Sequence, residues 1–87
     1  MARVRMFTTL ICPYCIRAKM LLKGKGVPYE EIDVGGDDEM RAWLVKTTGR
    51  RTVPQIFIND ESIGGFDELR ALDVAGELDK KLAQTAA

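Results

Sequence analysis

Histidine is absent from these 87 residues and cysteine occurs only twice, so one chain cannot assemble a four-ligand Cys/His structural zinc site. Long apolar runs are missing as well. Met1-Ala2-Arg3-Val4-Arg5 leads directly into a strand-like segment, without the stretch that a signal peptide or membrane span requires. A cytoplasmic setting is therefore the expectation. Neither sign of charge prevails, with Lys plus Arg and Asp plus Glu at 13 each, which removes the global basic field that nucleic acid or an anionic membrane attracts. No nucleic-acid and no membrane partner is expected. What remains, 46% apolar and 30% charged, describes an ordinary folded domain, taken here as a single domain over residues 1–87 and as a monomer.

The two cysteines stand three residues apart in Cys12-Pro13-Tyr14-Cys15, just before an apparent helix. Residues i and i+3 on a first helical turn lie roughly 5 Å apart, inside the disulfide window of about 4.4 to 6.8 Å. As a staple the bridge would be poor, contributing only about 2 kcal/mol on chain-entropy grounds against about 3 for a fifteen-residue loop. Reducing cytoplasmic pools also disfavour permanent disulfides, so the pair reads as a working dithiol. Cys12, at the helix N-terminus, meets free N–H groups and the positive end of the dipole, which favour its thiolate. An ordinary thiol with a pKa near 8.5 is only about 3% ionised at pH 7, whereas CxxC settings lower that pKa to roughly 3.5–7.5. Cys15, one turn inside, keeps the higher pKa and fits a resolving role.

Strand 3–8 is followed by a helix over 13–24, with Pro13 at its first position, Ile16, Met20 and the adjacent leucines as packing residues, and Gly24 and Gly26 as its stop. A second strand is expected over 28–34, then Gly35-Gly36-Asp37-Asp38 with an N-cap for a helix carrying Met40, Trp43, Leu44 and Thr47 and closed by Gly49. Trp43 reads as core, and Arg50-Arg51 as a solvated turn. Strand 55–59, a turn at Asn59-Asp60-Glu61 and a return strand 61–63 form an antiparallel pair. Asp67 then caps a helix reaching Leu72, and a last short helix covers 77–83. This order implies an α/β fold, a small four-stranded mixed sheet flanked by helices, compatible with thioredoxin-like architecture.

Cys12-Pro13-Tyr14-Cys15, Thr52-Val53-Pro54 and Gly64-Gly65-Phe66-Asp67, in that order and spacing, make the chain resemble the dithiol glutaredoxins across nearly its whole length. The resemblance implies a thioredoxin-like fold and a glutathione groove beside Cys12. Tyr14 would border that groove. Val53, with Thr52 beside it, would pair its backbone with the extended glutathione peptide, before a Pro54 that the family holds in cis. Arg41, eleven residues before Thr52, coincides with a position that reaches the glycine carboxylate. Asp67 would meet the γ-glutamyl amino group, while the N–H groups of Phe66, Asp67 and Glu68, in the turn that includes Gly65, would meet its carboxylate. Two positions depart from the family: Thr9 stands where many members have Lys, and Glu68 where many have Asp.

The activity implied is that of a glutathione-disulfide oxidoreductase. Cys12 would attack a protein disulfide or a glutathionylated protein, Cys15 would resolve the adduct, and glutathione would serve as reductant with no metal needed. Ribonucleotide reductase is one protein substrate of this class. Two alternatives share the motifs. One is a redoxin reduced by thioredoxin reductase and donating electrons to ribonucleotide reductase, which Thr9 leaves open. The other is a [2Fe-2S] binding module that uses Cys12 of two chains with two glutathiones, against which Pro13 speaks.

Overall fold

The computed structural model describes residues 2–84; Met1 and residues 85–87, the two ends of the expected domain, lie outside the described residues. Among the described residues the order is β1 (Val4–Thr8), α1 (Pro13–Gly24), β2 (Glu30–Asp33), α2 (Asp38–Thr48), β3 (Gln55–Ile58), β4 (Glu61–Gly64), α3 (Phe66–Val74) and α4 (Glu77–Ala83). The strands lie in the order β2-β1-β3-β4, with β1 parallel to β2 and both other pairs antiparallel. This is the thioredoxin-like α/β sheet that the motif order implies.

Alternation along the strands divides the core between the two faces of the sheet. Val4, Met6, Ile56 and Ile58 bury against Ala18 and Leu22 of α1, Leu69 of α3, and Leu78 and Leu82 of α4. On the opposite face Phe7 and Phe57 pack with Val34 and Leu44. Each fully buried Leu or Met contributes about 1.5–3 kcal/mol through area removed from water, and the first, larger cluster supplies most of that apolar burial.

Several local expectations shift. In α1 the buried stripe is Cys15, Ala18 and Leu22, whereas Ile16 and Met20 are 53% and 67% exposed. With about 100° per residue, turning Cys15 inward swings Ile16 about 100° and Met20 about 140° away from the core. In α2 the inward positions are Met40, Leu44 and Thr48 rather than Thr47, and Trp43 lies at the rim, 40% exposed, with its ring centroid 5.7 Å from Phe7 and 6.0 Å from Phe57. Strand β2 begins only at Glu30, after Pro28, which has no N–H to give a ladder. The β3–β4 turn is Asn59-Asp60, both at positive φ, as a two-residue hairpin of the primed type requires; Glu61 already pairs with Ile58. Asp37 caps α2 by accepting the Met40 N–H at 3.0 Å, and Gly49 ends it in the left-handed region. Helix α4 matches its expected span, 77–83.

Candidate active site

The loop after β1 delivers Cys12 to the first position before α1, where extended backbone angles make it the N-cap. The Cys15 N–H donates to Cys12 Sγ at 3.1 Å and the Ile16 N–H to Cys12 O at 3.1 Å. The two sulfurs are joined in a disulfide with Cα atoms 5.1 Å apart. Their accessibility differs: Cys12 is 8% exposed and Cys15 1%. Nucleophiles from outside therefore meet Cys12 first. The Cys12 sulfur thus sits at the positive end of the α1 dipole with the Cys15 N–H pointing at it.

Against this sulfur lies the Thr52-Val53-Pro54 loop, with Val53 O 3.6 Å from Cys12 Sγ. Because both sulfurs are in the bridge, no S–H proton lies between them; this is a contact that sets the loop's edge beside the reactive atom. The Val53–Pro54 peptide is cis. Behind the loop, α3 is capped by Gly65 rather than by Asp67, begins at Phe66 and runs to Val74, two residues beyond Leu72. A Cβ on Gly65 would lie 3.3 Å from Pro54 O, so the two loops approach closely, and the extended angles of the cap fall on this residue. Glu68, at the third helical position, reaches back to accept the Gly65 N–H at 3.1 Å and pairs with Arg50. The Gly65 bond first, and then the Arg50 guanidinium, hold the Glu68 carboxyl below its ordinary range. Gly64 is needed twice over, for a φ of 111° and because a Cβ there would strike the Glu68 side chain. Glu68 is thus committed to the helix end, while Asp67 remains exposed and forms no ion pair among the described residues.

Two cavities open along this loop. One, of about 210 Å³, is lined by Tyr14, Arg50, Thr52, Val53, Pro54, Gly65, Phe66, Asp67 and Glu68. The other, of about 380 Å³, holds Arg41 with Arg50, Arg51, Thr52 and Val53. Arg50, Thr52 and Val53 belong to both, so the expected groove residues fall along one edge, with Arg41 at one end and Asp67 at the other. Three residues outside the sequence-derived set join them. Arg50, read as a solvated turn, ties to Glu68; nothing in a separation of 18 residues signals that pairing. Arg17 places its guanidinium 5.3 Å from the Tyr14 ring centroid, an i, i+3 relation that helical spacing would have shown. Gln55 donates to Thr52 O at 2.8 Å, and its signal was a polar residue opening an otherwise apolar strand.

Comparison with known proteins agrees with this geometry. The glutaredoxin family model matches residues 4–63. The chain belongs to the glutaredoxin family. It is 50% identical over 82 residues to glutaredoxin 3 of Escherichia coli (strain K12), covering 94% of this chain and 99% of that protein. A glutaredoxin of Pseudomonas aeruginosa is 51% identical over 83 residues, covering 95% and 99%. The crystal structure of a buckwheat glutaredoxin–glutathione complex superposes with a TM-score of 0.87 at 32% identity, over 93% of this chain and 76% of that one. Glutaredoxin membership together with the Cys12–Cys15 pair makes the protein a thiol oxidoreductase. The family-model match ends before Gly64, so the α3 side of the site rests on the geometry above.

Proposed function

We propose that this glutaredoxin is a glutathione-dependent thiol-disulfide oxidoreductase that reduces protein disulfides and glutathionylated proteins through Cys12 and Cys15. The observation that carries this reading is the placement of Cys12 Sγ against Val53 O, on an edge that runs from Arg41 to Asp67. Glutathione offers two carboxylates, an α-amino group and an extended peptide. Arg41 suits its glycine carboxylate, Asp67 its amino group, the first N–H groups of α3 the other carboxylate, and the Val53 backbone the peptide between. Tyr14, 52% exposed, forms the near wall.

In the reaction, the Cys12 thiolate attacks one sulfur of a protein disulfide, forming a mixed disulfide and releasing the other sulfur as a thiolate that takes up a proton. Cys15, deprotonated, attacks Cys12 Sγ, expels the substrate thiol and leaves the bridge seen here. One glutathione thiolate opens the bridge at Cys12, and a second takes the first away as glutathione disulfide, restoring the dithiol. For a glutathionylated substrate, Cys12 displaces the protein thiol directly and Cys15 is dispensable. The exposed Leu10 and Ile11, 87% and 89%, adjoin Cys12 in sequence and favour protein substrates, which ribonucleotide reductase would exemplify. Among the described residues no helix is long and apolar enough to cross a membrane. The working form is taken as a cytoplasmic monomer.

Thr9, where the family resemblance implies Lys, favours one second reading, reduction by a flavoprotein thioredoxin reductase. The test is turnover of a mixed disulfide between glutathione and a small thiol, with glutathione and glutathione reductase recycling. Rapid turnover supports glutathione dependence; negligible turnover by folded, reducible protein, with reduction by thioredoxin reductase instead, moves the function to the second reading.

A further inference from the structure

Gln55 is wholly buried at the start of β3, on the sheet face that carries Phe57, and pairs in register with Phe7. Its Nε2 donates to Thr52 O at 2.8 Å and lies 3.4 Å from Thr52 Oγ1. A carbonyl oxygen only accepts, so the amide nitrogen must be the end that faces Thr52 O. The other end, Oε1, is buried with no protein partner among the described residues. Burying an amide with half its capacity unmet is unfavourable, and an apolar side chain of the same size would fill the space without that penalty. The amide is explained by what its nitrogen holds.

That nitrogen holds a loop residue that is itself exposed, so packing does not fix Thr52. On the far side of Val53, Pro54 is buried and its carbonyl approaches Gly65. Val53 is thereby tied on both flanks, with its own carbonyl 3.6 Å from Cys12 Sγ. We infer that Gln55 is a positioning residue: through Thr52 it fixes the Val53 backbone edge on which the glutathione peptide pairs beside Cys12. This inference rests on the glutathione reading above.

The test compares wild type, Gln55→Met and Phe57→Leu. Methionine keeps the volume, removes the unpartnered acceptor and leaves Thr52 O to water, so melting temperature should stay near wild type. Phe57→Leu disturbs the same face, in the cluster against which the Val53 side chain packs, but keeps the Gln55–Thr52 hydrogen bond. With a glutathionylated peptide as substrate, Gln55→Met should raise KM roughly three- to tenfold, the loss expected of one hydrogen-bonded edge set loose, with kcat within about twofold. Amide hydrogen exchange at Thr52 and Val53 should accelerate. Phe57→Leu should lower the melting temperature more, yet raise KM and that exchange less than Gln55→Met does. An unaltered KM in Gln55→Met, or equal KM rises in both variants, would overturn the inference and make Gln55 a packing residue. If wild type itself shows no glutathione-dependent turnover, the glutathione reading fails, and amide exchange alone then decides: acceleration greater in Gln55→Met than in Phe57→Leu retains the loop anchor, and its absence removes it.

Discussion

Two helix N-termini meet the Val53-Pro54 loop, and they are capped in opposite ways. At α1 the cap is Cys12, whose sulfur accepts the Cys15 N–H, so the capping atom and the reacting atom are one. At α3 the cap is Gly65, which has no side chain; Glu68 reaches back to its N–H and leaves Asp67 exposed beside it. The first arrangement couples helix stability to redox state, because a thiolate is a better acceptor for that N–H than a disulfide sulfur. The second separates the two tasks onto neighbouring carboxylates, one holding the helix and one open to a ligand. The first puts the reactive sulfur at the helix end, and the second leaves Asp67 free for the ligand that the proposed function assigns to it.

The largest break in this comparison is Cys12→Ser. Serine is a good N-cap, so the fold and melting temperature should persist while turnover of every substrate disappears. Cys15→Ser should nearly abolish protein disulfide reduction and leave deglutathionylation within a few-fold of wild type; parallel assays of both substrates check the split. Next come the adjacent acids. Asp67→Ala should raise KM for glutathionylated peptide about tenfold with little change in melting temperature, whereas Glu68→Ala, which removes the acceptor for the Gly65 N–H, should cost about 1 kcal/mol of stability, seen as a shift of roughly 4–8 °C, with a smaller change in KM. Arg41→Gln should raise KM by roughly three- to tenfold at low salt, with less difference from wild type as salt screens the cation.

The smallest effect is in pH. Glu68 has its folded pKa lowered, by the Gly65 N–H first and by Arg50 second, so its contribution is complete above the unfolded value, near 4.5, and is lost as pH falls through the folded value. The carboxyl is about a third exposed, so screening keeps this contribution small. Thermal melts of wild type and Glu68→Gln should therefore differ at neutral pH and converge in acid.

Much of this was legible in the residues. Proline at the first helical position, an N-cap within Gly35-Gly36-Asp37-Asp38, a stop at Gly49 and a turn opening at Asn59 are chemistry of a few adjacent residues; the structure caps α2 with Asp37, ends it at Gly49 and narrows the turn to Asn59-Asp60. The family motifs lie together around Cys12, and the cis peptide before Pro54 agrees with them. What went astray depends on contacts between distant segments. Ile16 and Met20 look like packing residues because hydrophobicity is a local property, while the rotation of α1 is set by Cys15 turning inward. Asp67 is a good cap by composition, yet the close approach of Gly65 to Pro54 moved the helix start back by two residues. Trp43 reached the rim because Phe7 and Phe57 already fill the face beneath it.

The central claim, that Cys12 is the sulfur that exchanges with glutathione while Cys15 is shielded, is tested most directly by intact mass. Reduced Cys15→Ser and reduced Cys12→Ser are each incubated with glutathione disulfide. One glutathione should be found on Cys15→Ser, carried at Cys12, and none on Cys12→Ser. A glutathione adduct on Cys15 of the Cys12→Ser protein, or none on Cys15→Ser, would contradict it.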